Sequence, residues 1–213
     1  MELVGDAEIR ISGVITPKVA SDFAKLLTDK VSLLSVSSEG GVTESAIQIA
    51  EIVQRRSMGI RVIDVCLSSC ANYLFVAGFS REVMPDAVVG WHGGHSFKPF
   101  RSTLDSGSRL VEKEKILLRE QLLYARAKVS VDLIVYSGIV KLGEQVERDV
   151  RREYSLWSPS AEELRRLGVT GLKMFEGERT PEAIKKQLDS IGLSGQSIYT
   201  GKAYSYLPSF LSR

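Results

Sequence analysis

An α/β fold built on a largely parallel sheet is what this 213-residue sequence predicts. Three observations carry that reading. Strand and helix patterns alternate from the N-terminus as β-α-β-α-β-α. The connections between them are short. The turns Gly40-Gly41 and Ser68-Ser69 both fall at the carboxyl ends of strands, where folds of this class place their chemistry.

Each element has its own signal. Glu8 to Ile15 alternates and reads as a strand ending near Gly13. Thr16-Pro17 opens a helix to about Leu27, with proline at a favoured first-turn position. Val31–Val36 is a short apolar strand, followed by the tight loop Ser37–Gly41. Thr43–Arg56 is an amphipathic helix with Ala46, Ile49, Ala50 and Val53 on one face. Arg61–Val65 is the third strand, and Ala71–Phe79 the apolar helix after it. Glu82–Met84 and Val88–Trp91 are short strands around a turn at Pro85-Asp86. Gly94–Gly107 is a polar loop. A long helix follows over Ser108–Val129, then a helical stretch over Asp132–Glu153 with a break expected near Gly138 or Gly143. Ser160 caps a short helix, in a capping box with Glu163, that stops at Gly168. Val169–Phe175 is a last strand, and Thr180-Pro181 starts a helix to about Ile191. The Gly-, Ser- and Tyr-rich end is expected to be loosely held.

Composition narrows the function. With 44% hydrophobic and 25% charged residues the chain is an ordinary globular sequence. Its 28 basic and 26 acidic residues leave a net charge of +2, which makes no electrostatic case for nucleic acid. No apolar run approaches the ~20 residues that span a bilayer. Asp6, Glu8 and Arg10 interrupt any export-signal pattern at the N-terminus. Two compartments therefore stay open: the cytoplasm as the chain stands, or a bacterial periplasm or envelope if an export signal has been removed. Cys66 and Cys70 flank the serines and read first as small packing residues. A disulfide between them is the lesser option and would favour an oxidising compartment. No metal site and no cofactor is implied.

The serines sit where a strand passes into a helix, so a hydroxyl and unpaired amides meet there. A simple helix cap is the plain alternative. Serine needs a base to become a nucleophile, and the chain has two histidines, His92 and His95, in Trp91-His92-Gly93-Gly94-His95. His92 falls at a strand end, and a structural histidine is its alternative reading. His95 lies in the loop beyond.

Taken in order, Ser38-Glu39-Gly40-Gly41-Val42, then Ser69 followed by Ala77-Gly78, then His92 seven residues after Pro85, resemble the Clp protease proteolytic subunit and signal peptide peptidase A. The likeness is nearest to ClpP-like bacterial envelope proteins, which often carry a cysteine on each side of the serine, and it extends from about Ile9 to Leu172. It implies a ClpP/crotonase-like fold of repeated β-β-α units with a projecting handle helix at Ser108–Val129, over residues 1–175. Residues 176–213 would then be the C-terminal helix and tail. It implies a serine peptidase with Ser69 as nucleophile and His92 as base. Gly41 and Cys70 amides would form the oxyanion hole, and Gly40 and Val42 would bind substrate.

The family's acid, in a Glu-Arg-Asp-x-x-Arg-Asp segment, corresponds to Glu153 in Glu147–Glu153, with Asp149 as the alternative one helical turn earlier. The linking stretch before Ser160-Ala161-Glu162 is about three residues longer than usual, and the family's loop proline is Glu39 here. The partners implied are a peptide or protein substrate and further copies of the chain, with Leu110, Leu117, Leu118 and Leu122-Leu123 as an intersubunit face. Two other readings stand beside this one: a binding or scaffold protein that keeps the fold without catalysis, and a CoA-dependent crotonase-type enzyme.

Overall fold

In the computed structural model of this chain, the sheet is organised around one long strand. The structure describes residues 1–97, 108–146, 154–174 and 180–205. Strand β1 (Glu2–Val4) pairs antiparallel with β2 (Glu8–Ser12). Helix α1 (Pro17–Leu26) leads to β3 (Leu33–Ser38), and α2 (Thr43–Arg55) leads to the long β4 (Gly59–Leu67). After a helical segment come β5 (Arg81–Val83) and β6 (Val88–Gly90). Both pair parallel with β4, β5 beside Ile60–Val62 and β6 beside Val65–Leu67. The β2–β3, β3–β4 and β5–β8 pairings are also parallel, with β8 at Leu172–Met174. The mixed α/β class and the mostly parallel sheet are therefore as expected.

Local chemistry explains the early elements. Thr16 caps α1 by accepting the Val19 N–H, with Pro17 in the first turn. Ala46, Ile49, Ala50 and Val53 of α2 are buried on the face the periodicity assigned. Between Val36↔Val62 and Ser38↔Cys66 the β3–β4 register shifts, because β4 advances further than β3. This bulge re-aims the end of β4, as bulges near functional sites commonly do.

Several expectations need correction. The segment after β4 starts earlier than Ala71 and is wound as a π-helix over Cys70–Phe75. Helix α4 (Asp132–Val146) follows α3 (Ser108–Ala127) and is not broken at Gly138 or Gly143. Gly138 is there for space, since a Cβ on it would lie 1.9 Å from the Phe97 ring. Leu123 of α3 is buried in the core with Tyr124, so it cannot belong to an outer face. Leu118 and Leu122 are exposed, Leu117 is half-buried, and the Leu110 side chain lies outside the described residues. The strand of two residues β7 (Leu156–Trp157) and its parallel partner β9 (Ile198–Tyr199) have no clear sequence signal.

The tail expected to be loose is tied down as far as residue 205. Helix α5 (Ala161–Arg166) is capped by Ser160, which accepts the Glu163 N–H. The Glu163 carboxylate does not reach back to complete a capping box. It binds Arg166 and accepts the Ala203 N–H at 2.7 Å. Trp157 Nε1 donates to Gly201 O, and Tyr136 makes ring contacts with Trp157, Tyr199 and Tyr204. Ile184 and Leu188 of α6 (Pro181–Ser190) share a buried cluster with Val65, Leu67 and Val88 of the sheet. The C-terminal segment thus packs directly against the strands that carry the site.

Glu163→Ala should take from the half-buried Ala203 N–H its carboxylate acceptor and cost about 1–3 kcal/mol. Hydrogen exchange at Ala203 should speed up while the Ser160 cap stays protected. Unchanged exchange at Ala203 together with unchanged stability would show that the tail is held by its aromatic contacts alone.

Candidate active site

The turn that ends β4 brings the serines to the site. Ser68 takes a positive φ of 55°, uncommon for a residue with a Cβ. Ser69 has helical dihedrals (φ −59°, ψ −27°) and is the cap residue immediately before the π-helix. The Ser68 N–H donates to Gly90 O at 3.0 Å, which fixes the turn against the end of β6, two residues before His92. Cys66 and Cys70 are joined by a disulfide across the turn, with Cα atoms 5.2 Å apart, rather than packing as separate thiols. At the far end of the helical segment the buried Arg81 guanidinium donates to Phe75 O, Val76 O and Thr170 O. Burial lowers its pKa to about 10, so it remains cationic at neutral pH. Arg81 occupies the carbonyl end of the helix, where a cation is favourable.

The Gly40-Gly41 loop presses against the same turn. A Cβ on Gly40 would lie 2.8 Å from Leu67 O and from Ser68 Cβ, and Gly40 has φ 101°. Both facts demand glycine. Gly41 bridges to Ile15 and is exposed, as is Val42. Ser69 Oγ donates to Gly41 O at 2.7 Å. Glu39 is exposed, so its carboxylate faces solvent.

Ser69 and His92 line one open cavity of about 280 Å³, together with Ser68, Asn72, Tyr73 and Lys141. Gly93, Gly94 and His95 continue its wall. Gly41 and Cys70 do not line it. Gly41 meets the site through Ser69, and Cys70 lies in the first helical turn, where amides lack intrahelical partners. The loop after His92 is clamped on both sides. Asn72 Nδ2 donates to Gly93 O at 2.6 Å, and Gly93 N–H donates to Ser137 Oγ at 2.8 Å. Behind it the buried Glu120 carboxylate accepts the His95 and Ser96 amides and the Tyr73 hydroxyl. Burial, reinforced by the nearby carboxylate, raises the Tyr73 pKa, so this hydroxyl stays protonated.

His92 is half-buried, and its pKa is lowered by burial first and by the charge of Lys141 second. Its imidazole is therefore neutral at neutral pH, the form a general base requires. Among the described residues no carboxylate meets His92. Glu153 and Asp149, the two expected acids, lie outside the described residues. Among the described residues there is also no cluster of three His, Cys, Asp or Glu side chains placed to hold a metal ion, and no helix long and apolar enough to cross a membrane.

Sequence reasoning missed Asn72, Glu120, Ser137 and Lys141. Asn72 carried a legible signal, a single amide inside an otherwise apolar helix. The other three lie on α3 and α4, far along the chain, and nothing local marks them. The chain matches no family model and no curated protein.

A proton titration of His92 by NMR should give a midpoint below the ordinary 6.5. Lys141→Met should move that midpoint upward by removing one of the two depressing causes. The sign for stability follows from the same shift. The unfolded chain binds the proton more readily, so the contribution of His92 is present above about pH 6.5 and is lost as pH falls through the lower folded value. A midpoint above 6.5 in the wild-type protein would refute this account of the site.

Proposed function

We propose that this chain is a serine hydrolase of the ClpP/crotonase type, acting as a peptidase through an acyl-enzyme on Ser69. The observation that carries the reading is the shared cavity: Ser69 and a neutral His92 face one space at the carboxyl ends of adjacent strands β4 and β6. Ser69 Oγ first turns from Gly41 O toward His92. It then attacks the peptide carbonyl while His92 Nε2 takes the hydroxyl proton. The tetrahedral oxyanion is held by the Gly41 and Cys70 amides, donors whose loss typically slows such reactions about 10²–10³-fold. His92 returns the proton to the leaving amine, water adds to the acyl-enzyme with His92 again as base, and the acid product leaves. Glu153, or Asp149, orients the imidazole and stabilises its cation. Gly40 and Val42 border the exposed edge along which the substrate chain lies.

One observation favours a second reading, a binding protein without catalysis. The Ser69 hydroxyl is engaged by a backbone carbonyl at 2.7 Å. The shared cavity weighs against it, because a single rotation about the Cα–Cβ bond frees that hydroxyl.

Labelling with a fluorophosphonate and mapping by mass spectrometry separates the two. The wild-type protein should be modified at Ser69, and Ser68→Ala should still be modified. Ser69→Ala should not react, and His92→Gln should react about 10²–10⁴-fold more slowly. Absence of labelling, or labelling that persists in Ser69→Ala, removes the peptidase mechanism.

The same reading includes self-association through α3. Val111, Leu118 and Leu122 are 51%, 57% and 43% exposed on one helix, more apolar surface than a solvated helix usually presents. Light scattering should give a mass that is a multiple of 23.5 kDa. Leu118→Glu with Leu122→Glu should reduce it to the monomer, and a wild-type monomer at micromolar concentration would exclude this interface.

A further inference from the structure

His92 is followed by two glycines, the residue type that restrains a backbone least. The fold removes this freedom one peptide group at a time. The Gly93 N–H, in the peptide that leaves His92, donates to Ser137 Oγ, and the Gly93 carbonyl accepts from Asn72 Nδ2 at 2.6 Å. The His95 and Ser96 N–H groups, in the next two peptides, donate to the Glu120 carboxylate. Four successive peptide groups after the base are therefore each bonded to a side chain. Of the three side chains involved, Asn72 alone lies in the helical segment that begins at Ser69. On the near side of His92 the Ser68 N–H donates to Gly90 O. The residue before the nucleophile and the residue three after it thus hold the chain on either side of the base. Stability alone does not explain this asparagine. It is buried in the run Cys70–Phe75, where every residue is buried, and burying an amide is costly unless both its ends are bonded. Among the described residues its Oδ1 has no donor.

We propose that Asn72 is the positioning residue of the site, whose bond to Gly93 O sets the His92 imidazole against the Ser69 hydroxyl. It takes no part in proton transfer and acts through His92. This inference rests on the peptidase reading for the reaction that it serves. A carbonyl oxygen only accepts, so the side chain facing Gly93 O has to donate. Leucine has no donor there, and aspartate would set a second acceptor against the carbonyl. Loss of the bond frees Gly93 and Gly94 to turn, and the base shifts. Ser69 stays in place, because its turn is held by the Cys66–Cys70 disulfide and by the Ser68 N–H.

The test is a cycle of wild type, Asn72→Leu, His92→Gln and the double variant, read by the rate of fluorophosphonate labelling at Ser69. Leucine is close to asparagine in bulk and suits the apolar neighbours, so circular dichroism and the thermal midpoint should stay close to wild type. Asn72→Leu should slow labelling about 10²-fold, the scale of a misplacement of about 1 Å between reacting groups. The double variant should be no slower than His92→Gln alone, because a residue that acts through the base has nothing left to position. Where Asn72→Leu does not fold, Asn72→Ala takes its place in the cycle. Loss of the fold in both makes Asn72 structural and overturns the proposal. Unchanged labelling in the Asn72 variant, or a double variant slowed by the product of the two single effects, overturns it too and leaves the peptidase reading intact. Absence of labelling in the wild type removes the peptidase reading instead, and the placement of His92 is then read from its ring signals by NMR. One sharp set in the wild type that broadens or splits in the folded Asn72 variant supports positioning. The same signals in both proteins overturn it.

Discussion

Everything at the candidate site depends on how the short helix after β4 is held at its two ends. At its start the chain turns sharply through Ser68 at positive φ, with the Cys66–Cys70 disulfide across the turn. At its finish the buried Arg81 gathers three carbonyls from Phe75, Val76 and Thr170. A buried guanidinium is tolerated only when its donors are satisfied. Arg81 meets that condition by tying the helix to β5 and to the segment before β8. The position of Ser69 follows from these restraints and from the β3–β4 bulge that precedes them.

The glycine loop and the loop after His92 are then fitted to that fixed point. Gly40 sits so close to the serine turn that no side chain could replace its hydrogen, which brings the Gly41 peptide within hydrogen-bond reach of Ser69. On the other side Asn72, Ser137 and Glu120 together hold residues 93–96 by their backbone groups. The result is a cavity whose described lining is largely backbone and neutral side chains, with Lys141 as the cation among them. Burial and that cation both keep His92 in its neutral form. A fixed, partly dry environment of this kind is what allows amide dipoles to act strongly on a developing charge.

The C-terminal segment enters the same account. Its helix α6 and strand β9 cover Val65, Leu67 and Val88, which form the ends of the two strands that carry Ser69 and His92. The Gly-, Ser- and Tyr-rich composition suggested a loose tail, but these are also residues that fit between aromatic rings and backbone amides. Trp157, Tyr136 and Glu163 supply those partners from elsewhere in the chain. The capping box failed for a related reason, because Arg166 and the Ala203 amide compete for the Glu163 carboxylate.

What the sequence determined by itself is whatever depends on local chemistry. The β-α alternation, the Thr16 and Ser160 caps, the buried face of α2 and the glycine requirement at residues 40 and 41 were all legible, because each is decided within a few residues. The expected partnership of Ser69 with His92 came from a resemblance in order and spacing, and the fold brings both residues to one cavity. Tertiary structure decided the rest. Whether two cysteines pack or bond, whether Leu123 faces the core or a neighbour, and whether Gly138 breaks a helix or makes room for Phe97 depend on what arrives from distant segments. Asn72, Glu120 and Lys141 belong to this second group. Their roles are set by burial and by the charges brought near them, and both are properties of the folded chain.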